Sequence, residues 1–305
     1  MGNSLRHVLV LLHPGQSDAV AAASAVCEQL RAAGIVPVVR DTERAEIEAV
    51  QSSLSPLAVL DEGVSVGEIE CAIVLGGDGT ILRAAELLRD SSAPLVGINL
   101  GHVGFLAETE RAGIAEAVNK VIDKAYEVEE RLTLRVRVKR GPDVVFETWA
   151  LNESTVEKAS RSRILEVVLE VDRRPLSSFS CDGVVMATPT GSTAYAFSAG
   201  GPVIWPTVDA MVLVPMSAHA LFTRPIVVGP DSVMAVEILE RSGTEGILWC
   251  DGRRSCDLPA GSRVVVTKSD VPVRLARLQS DAFTDTLVSK FELPVDGWRG
   301  PTTRD

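Results

Sequence analysis

A glycine-rich turn that contains one carboxylate is the stretch of this sequence best suited to chemistry. Asp78 lies in the run Gly76-Gly77-Asp78-Gly79-Thr80, directly before residues with helical spacing. Glycine N–H groups can approach a phosphate closely, and the start of a helix favours negative charge. Because a carboxylate would repel a phosphate, Asp78 is better explained as a base for a hydroxyl, or as a contact to a sugar hydroxyl or a metal. The alternative is an ordinary tight turn.

A second polar loop follows Asp182-Gly183 and a short apolar run. It reads Thr188-Pro189-Thr190-Gly191-Ser192-Thr193-Ala194-Tyr195, and we expect a helix to begin near Ser192. Its hydroxyl groups and backbone amides would form a polar cradle for phosphate or ribose groups. The same residue types would also suit a capped turn that binds nothing.

The elements that position the first turn alternate between strands and helices. Residues 71–75 form an apolar run, and residues 81–89 have helical spacing with Thr80 placed to cap the helix. Continuous apolar strands that alternate with helices predict a doubly wound sheet. Ligands bind beyond the C-terminal ends of the strands in such sheets, where we expect both Gly76–Thr80 and Asn99–Phe105. Pro37 favours a position near the edge of the sheet for its own strand.

Beyond residue 127 the sequence changes to short alternating segments such as residues 132–139 and 164–171. Many strands at short spacing predict a β-rich domain. The expected fold is therefore an N-terminal doubly wound α/β domain with a C-terminal β-rich domain. We predict an α/β domain at residues 1–126, a β-rich domain at 127–275, and a final segment at 276–305 that packs back on the first domain.

Composition narrows the function classes. The 305 residues are 46% apolar and carry a formal net charge of −11, which argues against nucleic-acid and acidic-membrane partners. The five cysteines show no Cys-x-x-Cys spacing, and no signal peptide or membrane-spanning run is visible, so we expect a cytoplasmic protein. No group of His, Cys and Asp has the spacing of a metal site, so we predict no metal ligands from the protein.

The two loops, with Asn152-Glu153 between them, resemble the NAD kinase family, in particular its bacterial ATP- or polyphosphate-dependent type. Residues 101–106 and the region around Asp251-Gly252 are similar to that family as well, so that the resemblance covers nearly the whole chain. The Gly-Gly-Asp-Gly turn is shared with diacylglycerol kinases, sphingosine kinases and phosphofructokinases and is not specific. The run from Thr188 to Tyr195 is specific.

The resemblance implies transfer of a phosphoryl group from ATP or inorganic polyphosphate to the 2′-hydroxyl of the adenosine ribose of NAD, giving NADP. It implies that Asp78 accepts the proton of that hydroxyl and that Mg²⁺ accompanies the donor. It also implies a homo-oligomer, a dimer or a tetramer. Phe105 would flank a planar base, although a core position is the default for this residue. The residues expected to bind NAD are Asp78, Gly79, Arg83, Phe105, Asn152, Glu153, Arg163, Asp182, Thr193, Ala194, Tyr195, Ala196, Phe197 and Ser198. The residues expected to bind phosphate are Gly76, Gly77, Gly79 and Thr80.

Two other functions fit part of the sequence. A lipid or sugar kinase would share only the Gly-Gly-Asp-Gly turn, and the run from Thr188 to Tyr195 speaks against it. A non-catalytic NAD(P) sensor would bind the dinucleotide without turnover, and the presence of Asp78 speaks against that.

Overall fold

The computed structural model describes residues 5–13, 17–101, 104–110, 113–279 and 282–295. They form two compact units. The first unit contains the described residues up to Glu130 and those from Arg274 onward, and the second unit is Arg131–Val273. The predicted fold class is confirmed, since the first unit alternates strands with helices and the second is built mainly from strands.

A sheet of nine strands forms the centre of the first unit. The strands are β1 (His7–Leu12), β2 (Val36–Val39), β3 (Ala58–Leu60), β4 (Gly63–Val64), β5 (Ile69–Leu75), β6 (Leu95–Asn99), β7 (Thr109–Glu110), β8 (Glu127–Arg131) and, far later in the chain, β21 (Val273–Arg277). Their order is β4-β3-β2-β1-β5-β6-β21-β8, with β7 paired to β6 outside this path. The pairings from β4 to β21 are parallel.

The direction of winding reverses between β1 and β5, because β2, β3 and β4 lie on one side of β1 and β5 lies on the other. Open parallel sheets bind their ligands beyond the C-terminal ends of the strands at such a switch point. The Gly-Gly-Asp-Gly turn follows β5 directly, and His13 N–H donates to Leu75 O at 3.0 Å across this point. The predicted location of the turn is therefore confirmed.

Helices cover this sheet. The helices of the protein are α1 (Ser17–Ala32), α2 (Asp41–Val50), α3 (Asp78–Leu87), α4 (Ile114–Ile122), α5 (Tyr195–Ser198) and α6 (Phe283–Phe291), of which α5 belongs to the second unit. Ala23, Val26 and Leu30 of α1 are fully buried in one core with Val10 and Ile73 of the sheet. Residues 8–12 of β1 and 71–75 of β5 are buried on both faces of the sheet, which explains why these stretches are continuously apolar.

Pro37 was predicted to lie near an edge of the sheet, and the structure places its strand close to one edge but not at it. Pro37 belongs to β2, and β3 and β4 extend the sheet beyond it. These two strands have three and two residues, too few to show a pattern in the sequence.

The second unit consists of two six-stranded sheets of antiparallel pairs. The strands of this unit are β9 (Leu134–Arg140), β10 (Asp143–Ala150), β11 (Glu153–Lys158), β12 (Leu165–Val171), β13 (Arg174–Cys181), β14 (Gly183–Ala187), β15 (Met211–Met216), β16 (Ile226–Val228), β17 (Met234–Ile238), β18 (Gly246–Cys250), β19 (Arg254–Leu258) and β20 (Ser262–Lys268). The strand order of the first sheet is β10-β9-β20-β17-β12-β13. The strand order of the second sheet is β16-β15-β14-β11-β18-β19. Val136 and Val264 of the first sheet share one core with Val156 and Leu248 of the second.

None of the described helices is both long enough and apolar enough to cross a membrane. The five cysteines are free thiols, and four of them are buried.

Candidate functional site

The turn after β5 depends on glycine at position 76. Gly76 has φ +155°, and a Cβ atom there would lie 2.9 Å from the Cβ of Thr80. Its N–H group donates to Ile98 O at 2.9 Å, which joins the turn to β6. Gly76 therefore shapes the turn, whereas its amide is already used within the sheet and is not available to a phosphate.

Thr80 does not cap helix α3 as predicted. The helix begins at Asp78 with Gly77 in the N-cap position, so Thr80 is the third residue of the first turn. Its hydroxyl group is buried against Gly76 and has no hydrogen-bond partner among the described residues. Because Thr80 as a whole is only 5% exposed, its side chain does not reach the surface where a phosphate would bind.

The remaining amides of the turn have the arrangement that an anion site would require. Thr80 and Ile81 donate the first hydrogen bonds of α3 to Gly77 O, at 2.8 and 3.2 Å. The amides of Asp78 and Gly79 precede these bonds, and such N–H groups at a helix start have no partner within the helix. No heavy atom lies within 4 Å of a Cβ built on Gly77 or Gly79. A phosphate oxygen could thus approach this backbone closely.

The carboxylate of Asp78 is fixed by the loop after β6. Asp78 Oδ2 accepts the N–H of Phe105 and Oδ1 accepts the N–H of Leu106, both at 3.1 Å. Each oxygen keeps further acceptor capacity, since a carboxylate offers about four lone-pair sites. Asp78 is half-buried, so it is held in one orientation while remaining accessible to a hydroxyl group. His102 and Val103 of this loop lie outside the described residues.

Phe105 and Arg83 differ in their surroundings. The Phe105 ring packs against Phe283 and Phe291 of α6, with centroids 6.1 and 5.8 Å away. This packing gives Phe105 a structural role within the first unit, which is the default that we stated for it.

Arg83 lies on α3, is exposed, and pairs with none of the described residues, so its guanidinium is available to a phosphate.

In the second unit, one buried carboxylate organises the segment that contains Asn152 and Glu153. Asp251 follows β18 and accepts the N–H groups of Leu151, Asn152 and Glu153 at 2.9, 2.7 and 3.3 Å. Arg254 donates to the same carboxylate at 2.8 Å, and its guanidinium lies 4.5 Å from the centre of the Trp149 ring. Burial raises the pKa of Asp251, while the three amides and Arg254 favour its charged form.

The loop that begins at Thr188 packs on the same segment. Thr188 N–H donates to Asn152 O at 2.9 Å, and its hydroxyl donates to Leu151 O at 2.6 Å. Gly191 lies so close that a Cβ atom there would be 2.8 Å from Asn152 Cα and closer still to the carbonyl. A short 3-10 turn spans Thr190–Thr193, and α5 begins at Tyr195, three residues later than expected.

Glu153 is the second buried acid of this group. It is 8% exposed, Oε2 has no hydrogen-bond partner among the described residues, and the other oxygen accepts the N–H of Tyr195. Burial, and secondly the nearby Asp251, raise the pKa of Glu153 to about 8. Glu153 is therefore largely protonated at neutral pH, and its carboxyl group can donate a hydrogen bond as well as accept one.

The other predicted NAD-binding residues are distributed differently. Asp182 pairs with Lys158 at 2.5 Å, and the pKa of Asp182 is lowered by hydrogen bonds from Lys158 and Ser217. Arg163 is exposed on the loop between β11 and β12, next to Gly243. Ala196 is fully buried in an apolar cluster, so only its backbone could contact a ligand. Thr193 and Ala194 are half-buried, whereas Tyr195, Phe197 and Ser198 are exposed, Tyr195 at 41% and Phe197 at 40%.

The sequence interpretation missed two side chains. Asp251 was included only in a region of resemblance, because an Asp-Gly pair normally marks a hairpin turn. Glu108 was not considered, although its carboxylate lies 2.8 Å from Arg277 and accepts the N–H of Leu278 at 3.0 Å. The one available signal was a charged residue just after a glycine-bearing loop, which is too common to be informative.

No group of three or more His, Cys, Asp or Glu residues in the described ranges could hold a metal ion.

Comparison with known proteins finds two family models that match this chain. The model of the ATP-NAD kinase N-terminal domain matches residues 8–126, and that of the ATP-NAD kinase C-terminal domain matches residues 151–278. An NAD kinase of Leifsonia xyli subsp. xyli is 62% identical over 300 residues, which are 98% of this chain and 99% of the relative.

Two solved structures are similar in fold. Yeast NADH kinase complexed with NADH has a TM-score of 0.84 at 22% identity, covering 99% of this chain and 91% of that one. An NAD kinase from Archaeoglobus fulgidus in complex with ATP has a TM-score of 0.70 at 27% identity, covering 94% of this chain and 98% of the other.

Proposed function

The chain belongs to the NAD kinase family, and on this premise we propose that it transfers a phosphoryl group to the 2′-hydroxyl of the adenosine ribose of NAD, giving NADP. The donor is ATP or inorganic polyphosphate. The observation that carries the proposal is the Asp78 carboxylate, which two backbone amides orient at the switch point of the parallel sheet.

The proposed role of Asp78 is to accept the proton of the ribose hydroxyl. A hydroxyl group is a weak nucleophile, and phosphoryl transfer depends mainly on alignment and on stabilisation of charge. The first turn of α3 could supply both alignment and charge stabilisation. The backbone N–H groups of Asp78 and Gly79 point out from the start of the helix, next to the Asp78 carboxylate, where they could bind a phosphate oxygen. Arg83, one turn further along, supplies an exposed positive charge.

Besides Asp78, Gly79, Arg83 and Phe105 of the first unit, the proposed NAD-binding residues lie in the second unit. Asn152 and Glu153 begin β11, and Asp251 fixes their backbone. A protonated Glu153 can donate to one ligand oxygen, such as a ribose hydroxyl, through the oxygen that has no partner among the described residues. Asp182, Arg163 and the residues from Thr193 to Ser198 complete the proposed set.

ATP is favoured as a donor by the similarity to the Archaeoglobus enzyme, whose structure holds ATP. Mg²⁺ would neutralise the negative charge of the donor phosphates. Asp78 is the acidic residue of the first turn of α3, but two of the acceptor positions of its carboxylate are occupied by the N–H groups of Phe105 and Leu106. The residues therefore fit a cation that is carried in by the donor and not one held in a protein cage.

The decisive experiment is an NADP end-point assay. Purified protein is incubated with NAD and Mg²⁺ together with ATP or polyphosphate, and NADP is measured with an NADP-specific dehydrogenase. We expect NADP from the wild type and a loss of about 10²–10⁴-fold in Asp78→Asn, the range in which general bases contribute. Asp90→Asn, an exposed Asp just after α3, is the matched control and should keep wild-type turnover.

Each other outcome has a definite meaning. NAD binding without NADP from either donor would favour the sensor, and no NAD binding would reopen the lipid or sugar kinase alternative. Wild-type turnover in Asp78→Asn would remove Asp78 from the role of base.

We further propose a cytoplasmic homo-oligomer, a dimer or a tetramer. The exposed apolar side chains of Leu221, Phe222 and Val227 support an interface on the second unit, because exposed apolar patches commonly mark association sites. Light scattering after size-exclusion chromatography would refute this proposal if it detected only monomer.

A further inference from the structure

The loop that orients Asp78 is itself anchored by the last part of the first unit. Within residues 104–108, the backbone N–H groups of Phe105 and Leu106 hold the Asp78 carboxylate. Two residues later, the N–H of Glu108 donates to Gly97 O at 2.8 Å. Backbone bonds therefore attach this loop to α3 on one side and to β6 on the other.

The side chain of Glu108 adds a connection to β21. One carboxylate oxygen lies 2.8 Å from Arg277 Nη1, and the other accepts Leu278 N–H at 3.0 Å. The side chain is only 3% exposed, so solvent screens this pair weakly. Lys120 of α4 donates to Leu278 O at 3.2 Å, which fixes the same residue from the other side.

A surface pair would have little effect on the position of a loop, because solvent and side-chain entropy offset most of its attraction. Glu108 is in a different situation, because its side chain is buried, accepts the N–H of Leu278, forms an ion pair with Arg277, and lies two residues from an amide that holds Asp78. Displacement of Glu108 would move Phe105 and Leu106, and with them the carboxylate.

We propose that Glu108 is a positioning residue for Asp78, acting through the amides of Phe105 and Leu106 and anchored by Arg277 and the amide of Leu278. The inference rests on the proposed function, in which Asp78 accepts the proton of the ribose hydroxyl. Glu108 touches none of the reacting atoms. A change at Glu108 should therefore lower the turnover rate, because misplacement of a reacting group by about 1 Å costs up to about 10²-fold in rate.

The test uses Glu108→Gln, which keeps an acceptor for Leu278 N–H but removes the charge that pairs with Arg277. We expect kcat for NADP formation to fall about tenfold while KM for NAD changes less than about twofold. Hydrogen exchange of the peptide that contains Phe105 and Leu106 should accelerate about tenfold. This second readout does not require activity.

Glu70→Gln is the matched control. Glu70 lies near the start of β5, and its carboxylate pairs with Arg6 at 2.7 Å with 21% side-chain exposure. It anchors the end of the strand opposite to Asp78. The control should therefore lower thermal stability without a change in kcat or in the exchange of the 104–108 loop.

A double-mutant cycle separates positioning from general damage. In the Asp78→Asn background, addition of Glu108→Gln should change the residual turnover by less than about twofold, because the group that Glu108 positions has been removed. An equal loss in both backgrounds would overturn the inference. So would wild-type exchange and kcat in Glu108→Gln, while the proposed function would stand.

Absence of NADP with the wild type would overturn the proposed function and this inference together. If Glu108→Gln fails to fold, Arg277→Gln provides the corresponding test, because it keeps Glu108 intact and removes the positive charge that pairs with it. Glu129→Gln controls for the second carboxylate that pairs with Arg277, at 3.5 Å. Unchanged kcat and loop exchange in Arg277→Gln would overturn the inference.

Discussion

Gly104 lies directly against the carboxylate of Asp78. A Cβ atom built on Gly104 would be 3.0 Å from Asp78 Cγ and closer still to Oδ1. The backbone of Gly104 does not have a positive φ, so the need for glycine here is one of space alone. Asp78 is thus held from two directions, by hydrogen bonds from Phe105 and Leu106 and by contact with Gly104.

This contact predicts that Gly104→Ala displaces the carboxylate and impairs turnover. The added methyl group cannot be accommodated unless Asp78 moves, and we expect kcat for NADP formation to fall at least about tenfold. Gly101→Ala in the same loop is the control, because no heavy atom lies within 4 Å of its Cβ position. Equal steady-state rates in the two variants would show that the carboxylate position is not critical.

Gly191→Ala should weaken NAD binding. The new Cβ atom would overlap the backbone of Asn152, and overpacking of this kind costs about 1–3 kcal/mol of unfolding free energy. We expect the affinity for NAD, measured by titration calorimetry, to fall at least about tenfold. Gly229→Ala, which has open space around its Cβ, should bind NAD as the wild type does.

Asp251→Asn should destabilise the second unit. Three amides and Arg254 converge on this carboxylate, and Asp251→Asn removes the buried negative charge that all four of these groups contact. We expect the unfolding free energy in urea to fall by about 3 kcal/mol. Asp257→Asn, exposed in β19 of the same hairpin, should have no measurable effect, and an equal loss in both variants would contradict the assigned role.

Glu153 predicts a pH dependence of stability. Its pKa rises from 4.5 to about 8 on folding, so the folded protein binds a proton that the unfolded chain releases. Stability from this group is therefore complete below about pH 4.5 and is lost as the pH rises through about 8. Glu43, buried on α2 with a pKa raised to about 7, acts in the same direction.

The expected result for Glu153→Gln is a melting temperature that depends less on pH between about 5 and 8 than that of the wild type. Calorimetric melts at several pH values would measure this difference. Glu157→Gln, four residues further along the same strand, should keep the wild-type slope. Equal slopes in all three proteins would show that Glu153 is ionised in the folded state at neutral pH.

The sequence was most informative where long apolar strands end in glycine. Residues 71–75 of β5 and all of β6 are continuously buried, and the ends of these strands predicted where Gly76–Thr80 and Asn99 would lie. The exact residue at which a helix begins was harder to predict from the sequence. Thr80 seemed suited to a cap, yet Gly77 already has the extended conformation of an N-cap, and the helix therefore begins three residues earlier than residues 81–89 suggested.

The buried carboxylates could not be identified from local patterns. Asp251 and Leu151 are 100 residues apart in the chain, and Glu108 and Leu278 are 170 apart. Such pairs arise from tertiary structure, and one sequence contains no record of which distant backbone amide an acid will meet. The family resemblance pointed to the region of Asp251 but not to its hydrogen bonds.

The position of β21 between β6 and β8 has a consequence for how the protein is made. A ribosome delivers β6 and β8 early, but the strand that separates them emerges only after Arg131–Val273 has been synthesised. Arg277 and Leu278, which hold Glu108, arrive with that strand. The whole second unit is therefore synthesised before the strand that completes the sheet of the first unit, and the contacts that anchor the loop beside Asp78 can form only after that strand.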